Sequence, residues 1–166
     1  MRLSELQLRH YRNLAVQELD LPPEGVAIVG ENAQGKTNLL EAIYYLETFR
    51  SFRGARDDRL VAFNQEVFRV VGSLAGQEAD RVDVAAAFQL RGRQKKVTVN
   101  GEEPERLGDA LGRLAAVIFT PADVGLVSQG PGARRRFLDI LLTQNPRFRL
   151  FEWDHVWYIV KVHQIG

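Results

Sequence analysis

The chain has 166 residues, 45% of them hydrophobic and 26% charged, with a formal net charge of +1 and no cysteine. That length suits one domain with a sizeable core, and the missing thiols exclude disulfides and thiolate metal sites and suit a reducing compartment. No apolar run approaches the ~20 residues of a membrane span, and Met1-Arg2-Leu3-Ser4-Glu5 lacks the apolar core of a secretory signal, so a cytoplasmic location is expected.

The first thirty residues read as β-structure. Leu6 and Leu8 alternate with polar neighbours, Val16 and residues 19–21 do so less cleanly, and Tyr11-Arg12-Asn13 supplies a turn between two strands. Pro22-Pro23-Glu24-Gly25 interrupts the chain. Val26-Ala27-Ile28-Val29 is a continuous apolar run ending at Gly30, which predicts a strand buried on both faces, as in an α/β sheet. From Lys36 the period changes: Leu39, Ile43 and Leu46, with Leu40 beside them, predict one apolar face of a helix reaching about residue 50.

Residues 51–65 are polar and Arg-rich and read as loop or short helix. Residues 68–74 look extended, and Val82, Val84, Ala86, Phe88 and Leu90 alternate as in a half-buried strand. Arg91-Gly92-Arg93 turns the chain, residues 95–99 return, and Asn100-Gly101 signals a hairpin, so an antiparallel meander is expected. Beyond it come a short helix over 107–114, an apolar strand over 115–119 stopped by Thr120-Pro121, and a helix over 133–142 whose apolar face is Phe137, Leu138, Leu141 and Leu142.

Gly30-Glu31-Asn32-Ala33-Gln34-Gly35-Lys36-Thr37 meets the phosphate-binding pattern G-x-x-x-x-G-K-[ST] at every fixed position. Glycine admits positive φ and close approach of the backbone to phosphate oxygens. The helix that starts beside Gly35 points free N–H groups and its partial positive charge at the anion. Lys36 can reach the β- and γ-phosphates, and the Thr37 hydroxyl can ligate Mg²⁺. The predicted strand before the loop and helix after it are the setting that this motif requires. The alternative is a glycine-containing turn that binds nothing.

Asn32 to Leu40, continuing through Glu41-Ala42 and preceded by Tyr11-Arg12-Asn13-Leu14, resembles the head domains of SMC-like ABC ATPases, and more narrowly the RecF family of bacterial recombinational repair. Ser51-Phe52-Arg53-Gly54 with Arg56-Asp57, Val99-Asn100-Gly101, and Phe119-Thr120-Pro121-Ala122-Asp123-Val124 followed by Gly130-Pro131 and Arg134-Arg135-Arg136 support the narrower match. The resemblance covers residues 1–145. It implies an α/β fold of the P-loop NTPase type, the N-terminal lobe of an ABC/SMC-type head carrying an antiparallel β-meander. It also implies ATP with Mg²⁺ as ligand, an ATP-dependent homodimer, single-stranded or gapped or linear duplex DNA and recombination-mediator proteins as partners, and a role in DNA replication, repair and the SOS response.

Position by position, Arg12 and Asn13 resemble the residues that approach nucleotide in such heads. Gly30 to Asn38 resemble the phosphate loop and its Mg²⁺ contact. Asp123 stands where these ATPases place their Q-loop, without the glutamine, and reads equally as a turn acid after Pro121. Arg134, Arg135 and Arg136 lie near a helix start, where cations oppose the dipole; DNA phosphates would explain them, and so would pairing with nearby acids or a subunit interface. Basic residues also cluster at 50–59 and 91–96.

Two parts of such an ATPase are missing: an apolar strand ending in an acid that activates water, and a signature loop. Poor hydrolysis is therefore expected. Residues 146–166, with both tryptophans, depart from the family's charged helix and read as a tail arising by truncation or frameshift. A stand-alone nucleotide-binding fragment, or a P-loop kinase or GTPase, is the alternative reading.

Overall fold

The computed structural model describes residues 1–76, 80–114, 116, 130–132, 135, 138, 148–153 and 156–161. The chain divides into two units, Met1–Ala116 and Val117–Gly166.

Alternation builds the first unit. Strands β1 (Arg2–Tyr11), β2 (Leu14–Asp20), β3 (Val67–Ala75), β4 (Arg81–Gln89) and β5 (Gln94–Val99) form one sheet in the order β2-β1-β3-β4-β5, every neighbouring pair antiparallel. Successive side chains point to opposite faces. Leu6, Leu8, Phe68, Val70, Leu74, Val84, Ala86, Phe88 and Val97 therefore bury one face, while Gln7, Arg9, Arg69 and Lys96 lie exposed on the other. The expected meander is present. Asn100 and Gly101, at φ 52° and 85°, form the turn after β5, closed by hydrogen bonds between Val99 and Glu102.

Helix α1 (Lys36–Thr48) packs on the buried face, rotated from the expected stripe. Ala42, Tyr45, Leu46 and Phe49 are buried, whereas Leu39 and Ile43 are only partly covered and Leu40 is exposed. The reason is aromatic packing. Tyr45 meets Phe68 edge-on at 5.4 Å, Tyr11 meets Phe68 at 5.2 Å, and Phe68 stacks on Phe88. Phe49 ends the helix in the left-handed region. Lys95 Nζ donates to its carbonyl at 2.7 Å and lies over the Tyr45 ring, placing a cation at the negative end of the helix.

Residues 26–29 correct the sequence reading. They form no strand; Val26 and Ile28 are exposed and Val29 is 90% exposed. A two-sided buried strand gains its hydrogen bonds from flanking strands, and no described segment pairs with this run. Helix α2 (Leu107–Ala110) fills only the start of the expected 107–114 helix, since Leu111 is already extended and Gly112 has φ 76°.

In the second unit, β6 (Phe148–Trp153) and β7 (Val156–Lys161) form an antiparallel pair with Phe148 opposite Lys161. Arg135 and Leu138 are helical, as expected, and Pro131 and Gly132 are helical ahead of the expected start at residue 133. The predicted 115–119 strand, apart from Ala116, and Asp123, Arg134 and Arg136 lie outside the described residues.

Candidate nucleotide site

The loop of residues 30–34 is exposed and ends at Gly35, the first cap of α1, with φ 102°. A Cβ at Gly35 would stand 2.7 Å from Leu14 Cδ2 and 2.8 Å from Asn13 Oδ1, so the position demands glycine for space as well as for torsion. No side chain caps this end of α1, and its first turn holds no acid. Its first N–H groups therefore lack partners within the helix and face outward with the positive end of the dipole.

Lys36 Nζ lies over the loop, 2.6 Å from the carbonyl oxygens of both Gly30 and Glu31. Thr37 is exposed beside it. The β1–β2 turn braces the loop from one side. Asn13 Nδ2 donates to the Ala33 carbonyl at 3.0 Å, and Asn38 Nδ2 donates to Asn13 Oδ1 at 2.8 Å. Glycine, lysine, hydroxyl and uncapped helix together fit a nucleoside triphosphate with Mg²⁺. Lys36 and the N–H groups would hold phosphate and Thr37 would hold the metal, which would neutralise phosphate charge when bound. Among the described residues no cluster of three or more His, Asp or Glu gathers to hold a metal by itself.

Arg12 is brought to the same corner but is engaged with protein. Its Nε and Nη2 donate to the two carboxylate oxygens of Glu41, each at 2.9 Å, and its Nη1 donates to the Arg59 carbonyl at 3.1 Å. Glu41 is fully buried and accepts a further, short hydrogen bond from Ser51 Oγ. These bonds raise the Arg12 guanidinium above its ordinary value. Arg53 reaches the corner from the 51–59 segment, where its Nη1 donates to Asn38 Oδ1 at 3.1 Å. Glu41, Ser51 and Arg53 were not among the expected site residues. The available signal was Glu41 at i and Tyr45 at i+4, a charge on the buried face of a helix.

The basic clusters at 50–59 and 91–96 meet each other. Lys95 pairs with Asp57 at 2.8 Å, and Arg93 and Arg56 both approach Asp58, so much of their charge is offset locally. Arg135 is exposed.

The residues, their spacing and the helix they cap define the class of a P-loop NTPase head, and the chain belongs to the AAA domain family, whose model matches residues 1–120. Within that class its relatives are RecF proteins. It is 40% identical over 144 residues to the DNA replication and repair protein RecF of Halalkalibacterium halodurans, covering 87% of this chain and 38% of that protein. It is 41% identical over the same length to the RecF of Staphylococcus carnosus. The solved structure of the recombination mediator protein RecF-ATP in the RecFOR pathway aligns with a TM-score of 0.78 and 37% identity over 86% of this chain and 39% of that one. The chain spans about two fifths of the length of these relatives and fits an N-terminal portion.

Proposed function

We propose that this chain binds ATP with Mg²⁺ at residues 30–38 as the front part of a RecF-like protein of recombinational and replication-gap DNA repair, acting in the cytoplasm and in the SOS response. The observation that carries the reading is the uncapped N-terminus of α1 behind a complete phosphate loop, with Lys36 folded over it. Likeness to a RecF-ATP structure supports the nucleotide.

In this reading Lys36 and the first-turn N–H groups hold the phosphates, and Thr37 takes the metal. Asn13 and Asn38 fix the loop, and Arg12 sets the β1–β2 turn through Glu41. Hydrolysis by this chain is slow, because its sequence offers neither an apolar strand ending in a water-activating acid nor a signature loop. DNA, mediator proteins and an ATP-dependent homodimer are the partners, with Arg134 to Arg136 as phosphate contacts and Asp123 as a metal contact.

The test is thermal unfolding with and without ATP–Mg²⁺. At a hundredfold excess over the dissociation constant, ATP should stabilise the chain by about 2.7 kcal/mol, and Lys36→Ala should abolish the gain. No gain in the parent chain would overturn nucleotide binding. Robust turnover lost in Lys36→Ala would overturn slow hydrolysis alone.

A further inference from the structure

The outer face of the sheet is sorted by charge. The strand register sets Val16, Arg9, Arg69, Ala87 and Lys96 in one row across β2, β1, β3, β4 and β5. Arg9 and Arg69 stand directly opposite each other, and both are exposed. Like charges in that position destabilise a sheet. Yet neither arginine takes an ion pair or side-chain hydrogen bond among the described residues. Arg69 is bordered by Arg9, Ala87, Val67 and Val71, and Arg9 otherwise by Val16 and Gln7. The nearest acid on the face, Glu18, stands diagonally across, opposite Gln7. At the other end of the same face the pattern reverses: Glu5 stands opposite Asp20, and Arg81 is held by both Glu5 and Asp83. Acids thus outnumber the arginine held among them at that end, whereas Arg9 and Arg69 stand without an acidic partner among the described residues at this one.

We infer that Arg9 and Arg69 form a binding surface for the phosphate backbone of duplex DNA, separate from the nucleotide loop. The choice of partner rests on the DNA-repair reading above; the location rests on the register. Neighbouring strands lie about 4.8 Å apart, so the two arginine side chains leave the sheet side by side. Lys96, paired with Glu103, follows roughly 10 Å from Arg69. Val71, Ala85 and Ala87 keep the surface between them low, which lets a phosphate strand approach. A protein partner would want a large anchor such as Trp or Tyr at its centre, and the row presents none, since Tyr11, two residues on from Arg9, is buried against Phe68. Phosphate contact needs only the forked cations.

The experiment is fluorescence anisotropy of a short labelled DNA duplex with the full chain across a salt series. It compares the parent, the double variant Arg9→Ser with Arg69→Ser, and the control Arg81→Ser. The double variant should weaken binding about tenfold or more near physiological salt and flatten the log–log salt slope by about 1.8, or 0.9 per lost contact. It should do so for any sequence. Arg81→Ser should leave the slope unchanged. The double variant should melt no lower than the parent, since it relieves a like-charge pair. An unchanged slope in a folded double variant would overturn the surface while leaving DNA binding itself intact. A parent chain that binds no duplex at any salt overturns the DNA reading and this surface with it. If polyglutamate binds the parent as tightly as duplex does, and the double variant loses only polyglutamate, the partner is an acidic protein and the proposal fails.

Discussion

Two glutamates of α1 show how differently a buried carboxylate can be treated. Glu41 receives both arms of Arg12 and the hydroxyl of Ser51, and it joins the β1–β2 turn to the segment after the helix. Such a pair adds little net stability, because desolvation offsets most of the attraction; what it fixes is position. Glu47, one turn and a half further on, is also buried, and burial pushes its carboxyl up, offset only in part by the backbone of Ala116. A raised carboxyl pKa favours the protonated folded state. Its contribution is fully present below the unfolded value, about pH 4.3, and is lost as pH rises through the higher folded value. Glu47→Gln should therefore match the parent in urea midpoint at acid pH and exceed it at pH 8; a midpoint difference that is equal at both would refute this. The sequence disclosed the loop from Gly30 to Thr37 because the motif fixes residue type and spacing together. It did not disclose Glu41 or Glu47, because a glutamate in a helix reads as solvent-facing until the aromatic side of the helix is known.

At the level of elements, Gly72 shows what the sheet concedes to the helix. A Cβ there would come within 2.6 Å of Leu46 Cδ1 and 2.7 Å of Leu3 Cδ1. Gly72→Ala should thus overpack the join between β1, β3 and α1 and cost about 1–3 kcal/mol, seen as a lower urea midpoint. Parent-like stability would mean that Leu46 and Leu3 can move aside. Strands β3, β4 and β5 were legible because each buries one face and so alternates. The run of residues 26–29 misled for the opposite reason. A strand covered on both faces has no alternation to check, and its existence depends on neighbours that local pattern cannot supply. The helix was legible in its extent but not in its rotation, since Leu39, Leu40 and Ile43 offered as good a stripe as the one that Tyr45 and Phe49 set.

For the whole molecule, the notable surface is apolar. Val26, Ile28 and Val29 are all exposed on one short segment, and Phe63 is exposed elsewhere on the first unit. An unpaired apolar run of this kind promotes association between copies. Val29→Lys touches no packed neighbour, so it should change stability by no more than about 0.5 kcal/mol. It should also lower concentration-dependent light scattering. Unaltered scattering would place the sticky surface elsewhere. No helix among the described residues is long and apolar enough to cross a membrane, so a bilayer-spanning helix is not what this run serves.

The placing of the tryptophans has a practical consequence. Trp153 and Trp157 both lie on the β6–β7 pair, within Val117–Gly166, and the first unit has none. Indole emission excited at the red edge therefore reports on the second unit alone, whereas far-ultraviolet ellipticity reports on the backbone of both units, the five-stranded sheet and α1 of the first included. Unfolding curves recorded by the two signals will coincide only where the units melt together, so optical spectroscopy on the unaltered chain can separate their cooperativity without labels.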